Sequence, residues 1–190
     1  MPELTALVAE TPATPDAIDG EVRRILGTVE QSTVNTNIVG IRWFAPQTLT
    51  GITAVSMAVW SLTSNDPASN TGTRDILLPL GSITAGVWNR VNLPAPLAMP
   101  QNTPKVAQVA IEGSRYTFTP PTVFPITNGT LSMLAANTSG NGRWSNGLTE
   151  NSLAANNFPG GEGYNFFVEL ITDVSPPTGH SKGAEFLPFF

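Results

Sequence analysis

What most limits this chain is its punctuation. Gly and Pro each occur 17 times in 190 residues, well above their combined share of roughly 12% in an average protein. They fall between short runs of β-branched and aromatic residues. A helix interior loses about 1 kcal/mol at each Gly and about 3 kcal/mol at each Pro, so long helices are excluded. Short strands joined by turns are favoured instead, and the length suits one domain with a core of its own.

Eight runs read as strands: Glu21–Glu30, Thr36–Phe44, Ala54–Leu62, Arg74–Leu80, Trp88–Leu93, Val106–Glu112, Gly129–Ala135 and Tyr164–Val174. In Thr36–Phe44, Val39, Ile41 and Trp43 share one face, while Ile38, Gly40, Arg42 and Phe44 share the other. Both faces are largely apolar, which places this run in the middle of a sandwich. In Tyr164–Val174, Phe166, Val168, Leu170 and Val174 line one face, with Glu169 and Asp173 on the other. The expected fold is all-β: a single antiparallel β-sandwich, jelly-roll-like, of about eight strands over residues 21–174. An extended N-terminal arm is expected over 1–20 and an apolar C-terminal arm over 175–190. Ser64–Thr73, Pro94–Pro104, Thr117–Pro125 and Asn137–Gly163 read as connections. One short helix is expected at Ala13–Asp19, with Thr14 as its cap and Pro15 at its first position.

Charge removes several classes of function. Only 12% of residues are charged, the net charge is −5, and the arginines are scattered apart from Arg23-Arg24. Tracking phosphates needs a clustered cationic face, so nucleic-acid binding is not expected. The absence of Cys excludes disulfides, thiol catalysis and cysteine-ligated zinc. Met1–Glu10 has no basic region and its apolar run is closed by Glu10, unlike a signal peptide. No stretch approaches the roughly 20 apolar residues of a membrane span. The expectation is a protein made in the cytoplasm that does not leave by the general secretory route.

The residues that could carry chemistry are few. His180, the single histidine, sits in a Gly/Pro-containing tail, where nothing would hold an imidazole for a catalytic triad. Asp75, Glu112, Glu150 and Glu162 could supply a carboxylate pair for glycoside hydrolysis, yet nothing in the sequence brings two together. Asp16-x-x-Asp19-Gly20-Glu21 lacks the alternating acids of a calcium loop and reads as a plain turn. No metal, cofactor or catalytic activity is expected. Tyr116 and Trp144, with Asn141 and Arg143 beside the latter, form the candidate glycan-binding set: a ring covers a sugar's apolar face while amide and guanidinium reach its hydroxyls. The competing reading folds these rings back to plug the end of the sandwich. Trp43, Trp60 and Trp88 lie within strand patterns and read as core. Phe186, Leu187, Phe189 and Phe190 crowd the very end of the chain, where residues are normally polar, and read as an assembly arm.

Ordered landmarks add a resemblance. They are Val39-Gly40-Ile41-Arg42-Trp43-Phe44, Val59-Trp60-Ser61, Gly86-Val87-Trp88 and Pro94-Ala95-Pro96-Leu97. Gly113-Ser114-Arg115-Tyr116, Thr127-Asn128-Gly129-Thr130-Leu131, the Gly140–Trp144 loop and Phe158-Pro159 leading to Tyr164–Glu169 follow. From about Leu4 to Val174 the chain resembles the bacterial family called domain of unknown function 4082, as a divergent member: Phe166 and Glu169 stand where that family more often has Trp and Asp. The resemblance implies a β-sandwich with an adhesive or sugar-binding role, and it carries no catalytic residues to transfer. With no export signal and an apolar tail, the expectation is a bacteriophage virion protein, either a minor tail component or a capsid decoration protein. Its partners would be other virion proteins or copies of itself in a homo-oligomer, with cell-surface polysaccharide as a further ligand. The alternative is a carbohydrate-binding module of a bacterial surface protein.

Overall fold

The computed structural model describes residues 2–7, 11–18, 20, 23–64, 66–119, 125–134, 142–147, 149–155 and 165–173. Among these residues there is no helix, and every strand pairing is antiparallel. A four-stranded sheet runs in the order β1 (Glu3–Leu4), β13 (Val168–Asp173), β4 (Thr36–Phe44), β7 (Trp88–Met99). A seven-stranded sheet runs β10 (Ile126–Asn128), β11 (Leu131–Met133), β3 (Arg23–Ser32), β8 (Lys105–Glu112), β5 (Ala54–Leu62), β6 (Gly72–Pro79). β12 (Arg143–Asn146) also pairs with β3, on the half that β11 leaves open. β2 (Thr14–Ile18) and β9 (Arg115–Phe118) make a two-stranded ribbon.

The two large sheets share one core. Ile41, Trp43, Val168 and Leu170 from the four-stranded sheet meet Leu26, Met57, Val59 and Val109 from the other, all without exposed surface. This is the expected all-β sandwich. Each expected strand overlaps an observed one, and Thr36–Phe44 and Ala54–Leu62 have the expected bounds. The pairing of β4 with β7 slips between Ile38 and Gly40, which re-phases the side-chain alternation. Ile38, Ile41 and Trp43 are therefore all fully buried, although a strict period of two puts Ile38 on the other face.

Three expectations are corrected. The segment expected as a helix at Ala13–Asp19 forms strand β2 over Thr14–Ile18, paired with β9; a helix of about two turns here has no apolar stripe to bury, whereas an extended chain gains a partner. The stretch Pro94–Met99, expected as a connection, continues β7. Its prolines are tolerated because β7 is an edge strand and the register jumps from Gly40↔Asn92 to Ile38↔Leu97 around them. Within the arm expected over 1–20, β1 pairs with β13, and Ala6 and Leu7 lie in the core. Residues 175–190 lie outside the described residues.

β13 is held by more than its neighbours in the sheet. β1 covers only its far end, at Thr172 and Asp173. Nearer its start, the Thr28 hydroxyl of β3 donates to the Val168 carbonyl, and the Leu170 N–H donates to Glu30 Oε1 at 2.8 Å. Side chains of one sheet thus satisfy the backbone edge of the other, which a buried edge requires. On the outer side, Glu169 pairs with Arg42 of β4 and accepts the Leu7 N–H at 2.9 Å. Arg42 donates in turn to Thr5 Oγ1 at 2.9 Å and to the Leu7 carbonyl, and lies 4.2 Å above the Trp88 ring.

Ile41 and Val168 anchor the contact between the sheets, and neither has exposed surface. An unpaired carboxylate there costs several kcal/mol, comparable with the 5–15 kcal/mol that keeps an ordinary domain folded. Ile41→Asp is expected to leave no cooperative unfolding transition by circular dichroism, whereas Ile41→Val lowers the melting temperature by only a few degrees.

Candidate functional site

Of the residues proposed from sequence as a sugar grip, the structure brings Tyr116 and Trp144 together. Tyr116 lies on β9 and Trp144 on β12, with ring centroids 5.2 Å apart and planes at 72°. They do not form a platform. Phe118 stacks on Tyr116 at 5.6 Å, the fully buried Phe166 approaches Trp144 at 5.9 Å, and the Arg24 guanidinium lies 4.6 Å above the Tyr116 ring. Ring edges and faces are spent on one another, as in an aromatic plug at the end of a sandwich.

Arg143 is corrected as a ligand donor, because it is fully buried. Its Nε donates to the Ala154 carbonyl at 2.8 Å, and its terminal nitrogens donate to the carbonyls of Pro67 at 3.2 Å and Ser69 at 2.7 Å, and to Asn70 Oδ1 at 3.2 Å. Burial pushes the guanidinium down to about 10. Arg143 is a bracket that pulls two loops onto the outer face of the seven-stranded sheet. Asn141, His180, Glu162 and the tail residues Phe186, Leu187, Phe189 and Phe190 lie outside the described residues. Asp16, the first acid of the sequence once weighed for calcium, accepts from Arg115 at 2.8 Å and from the Thr48 N–H at 3.3 Å. Among the described residues no three His, Asp or Glu side chains gather as a metal would need.

The loops held by Arg143 cover half of that outer face. Gln108 of β8 donates to the Ser152 carbonyl at 2.9 Å and accepts the Ala154 N–H at 2.8 Å. Arg74 of β6 donates to Asn151 Oδ1 and to the Glu150 carbonyl. Leu153 then packs into a second small core with Val29, Ala58, Trp60 and Val106. Beyond it the sheet is bare, because the outward positions of β5 and β8 are small there: Ala54, Ser56 and Ala110.

This bare half is a cleft of about 320 Å³. Ala54 and Ala110 with Leu77 and Pro79 give it an apolar floor, and Ser56, Thr149 and Glu150 contribute polar groups. At one end Arg23 of β3 and Glu112 of β8, cross-strand partners, form an ion pair at 3.1 Å with side chains 49% and 44% exposed. A small apolar floor with a few convergent polar groups is the usual form of a small-molecule site. Glu112 and Glu150, two of the acids considered for glycoside hydrolysis, thus reach one cleft, but Glu112 is already paired with a guanidinium. Asp75 is elsewhere, accepting from Ser61 Oγ and from Lys105 Nζ at 3.0 Å. Sequence reasoning missed Arg23, Ser56 and Ala110; the signal for the last two is small residues facing each other across adjacent strands, visible only once the strands are paired, and Arg23 stands out only within Arg23-Arg24.

Trp144 and Arg143 are therefore expected to behave as structural residues. Trp144→Ala should lower stability by about 3 kcal/mol, the usual range for deleting a packed large aromatic, measured by urea unfolding. Arg143→Met should destabilise by a similar amount, since it strands carbonyls that the guanidinium satisfied.

No protein-family model matches the chain, and no curated protein does. Two solved structures of a clostridial surface protein share its fold. One is the cysteine protease Cwp84 after propeptide cleavage, with 14% sequence identity and a TM-score of 0.56 over 91% of this chain. The other contains the cysteine protease and lectin-like domains of Cwp84, a surface layer associated protein of Clostridium difficile, with 14% identity and a TM-score of 0.51 over 81% of this chain. The chain spans 40% and 33% of those two chains, respectively. At this identity the likeness is one of fold: this chain is an antiparallel β-sandwich of a kind also found in a bacterial surface protein.

Proposed function

We propose that this chain is a non-catalytic carbohydrate-binding module of the surface-protein type, holding one sugar unit of a glycan in the cleft on its seven-stranded sheet. The observation that carries this reading is the cleft itself: an apolar floor for the C–H face of a sugar ring, edged by a guanidinium, carboxylates and hydroxyls suited to its hydroxyls. The fold shared with a surface-layer protein that has lectin-like domains supports it. A cysteine-protease role would need a thiol nucleophile, and this sequence has no Cys. The virion role expected from the sequence rests in part on the apolar 186–190 cluster. It is the second proposal, and loss of oligomer or particle assembly on deleting residues 184–190 would support it.

Ala110→Trp fills the cleft from its floor. Affinity electrophoresis through gels cast with bacterial cell-wall polysaccharide is expected to show retardation of the wild type and at least a tenfold weaker effect for the variant, at similar melting temperature. Trp144→Phe, which keeps the aromatic plug, should be retarded like the wild type. Equal retardation of wild type and Ala110→Trp would refute the cleft as the site. Release of reducing ends from the polysaccharide would refute the non-catalytic reading.

A further inference from the structure

Two carboxylates and one guanidinium meet where the sheets and the N-terminal segment join. Glu30 of β3 and Glu169 of β13 both have no exposed surface. Glu30 Oε1 accepts the Leu170 N–H, and its Oε2 has no hydrogen-bond partner. Glu169 accepts the Leu7 N–H and pairs with Arg42, whose side chain is 20% exposed. The surrounding charges are committed elsewhere. Lys105, the cross-strand partner of Glu30, turns to Ser61 and Asp75. Asp173 accepts from Thr36 and from the Asn37 backbone and side-chain amides, and Arg24 lies over Tyr116. Arg90 is held by Glu3. One cation therefore faces two buried acids.

We propose that Glu30, Glu169 and Arg42 form a one-proton lock that fastens residues 2–7 to the sandwich, closed in mildly acidic solution and opened as the pH rises. With one proton on the pair, the remaining carboxylate is balanced by Arg42 and the cluster is neutral. When that proton leaves to solvent, two anions share one guanidinium in a dry interface, and a like-charge pair of this kind is strongly disfavoured. The element that yields is the N-terminal segment, whose strand pairing is limited to two residues. Residues 2–7 contribute a two-residue strand, the exposed Glu3–Arg90 pair, the buried side chains of Ala6 and Leu7, the bonds of Thr5 and Leu7 to Arg42 and Glu169, and carbonyls that accept from Asn128 and Thr172. Moving this segment away admits water to Glu169 without unpairing either large sheet.

The cluster's titration agrees with its geometry. Burial and the neighbouring Glu169 raise Glu30 well above the ordinary carboxylate value of 4.5, and burial raises Glu169 despite Arg42. For an acid raised in the folded state, the fold binds more protons than the unfolded chain between the two values. The stabilisation is therefore complete only below pH 4.5, and it is lost progressively as the pH climbs from there through neutrality. At the acid limit a different group intervenes: Arg90 holds Glu3 below its ordinary value, so protonating Glu3 weakens the same segment only in stronger acid.

Hydrogen exchange read by mass spectrometry tests the lock, comparing wild type and Glu30→Gln at matched pH so that intrinsic exchange cancels. The amide of Leu7 in the wild type is expected to lose protection at least tenfold, relative to Glu30→Gln, between pH 5 and pH 9. The Gln variant keeps an acceptor for the Leu170 N–H but cannot ionise, so its protection should stay level. Equal protection in both proteins across that range would overturn the proposal. Carboxyl carbon NMR of the wild type gives a second reading that needs no variant. Both Glu30 and Glu169 titrating near 4.5 would overturn the lock, and titration of either above pH 6 is the expected result.

Discussion

The sandwich depends on satisfying the backbone of β13. This strand is buried along its whole length and pairs fully on only one side, with β4. Each orphaned backbone group in such a place costs about 1–3 kcal/mol. The chain meets the need with side chains from the opposite sheet, Thr28 and Glu30, and with the short β1 at the far end. The consequence is a polar seam inside an apolar core. A carboxyl group is used where a third strand would stand, and its charge must then be managed by the neighbouring Glu169 and Arg42.

A second constraint shapes the outer face of the seven-stranded sheet. A sheet between a core and solvent normally alternates apolar and polar residues. Here Val29, Trp60 and Val106 point outward and have to be covered. Two loops cover them, and Arg143 with Gln108 keeps those loops in place through backbone acceptors and donors. The cover stops where the outward residues become small. The cleft is the uncovered remainder, and its shape follows from Ala54, Ser56 and Ala110 as directly as from the loop at Thr149 and Glu150 that walls it.

These constraints divide what the sequence makes legible from what it hides. Thr36–Phe44 and Ala54–Leu62 are readable because β-branched and aromatic residues run unbroken between turn formers, and the burial of Ile41 and Val168 follows from their pattern. Short β1, β10 and β12 are not readable, because two to four residues carry no period; they are defined only by their partners β13, β11 and β3. β2 was mistaken for a helix because Thr14-Pro15 also fits a helix start, and only β9 decides between the two. The aromatic residues are ambiguous in sequence for a similar reason. Tyr116 and Trp144 lie 28 positions apart among turn residues, which suits exposed rings as well as rings that meet. Their meeting depends on β12 finding β3, a pairing separated by more than a hundred residues.

The sparse charges follow the same logic of distant pairing. Glu3–Arg90, Asp16–Arg115, Arg42–Glu169 and Arg23–Glu112 each join segments far apart in sequence. They differ in how much water they keep. Glu169 is dry, so its pair with Arg42 fixes geometry: losing either partner would leave an uncompensated charge. Arg23 and Glu112 are about half exposed, and a pair of that kind contributes only about 0–1 kcal/mol to stability. Groups that the fold needs so little can exchange their mutual hydrogen bonds for those of a ligand at small cost. That distinguishes the cleft's ion pair from the buried one, and it is why the proposed recognition site lies on the open half of the larger sheet.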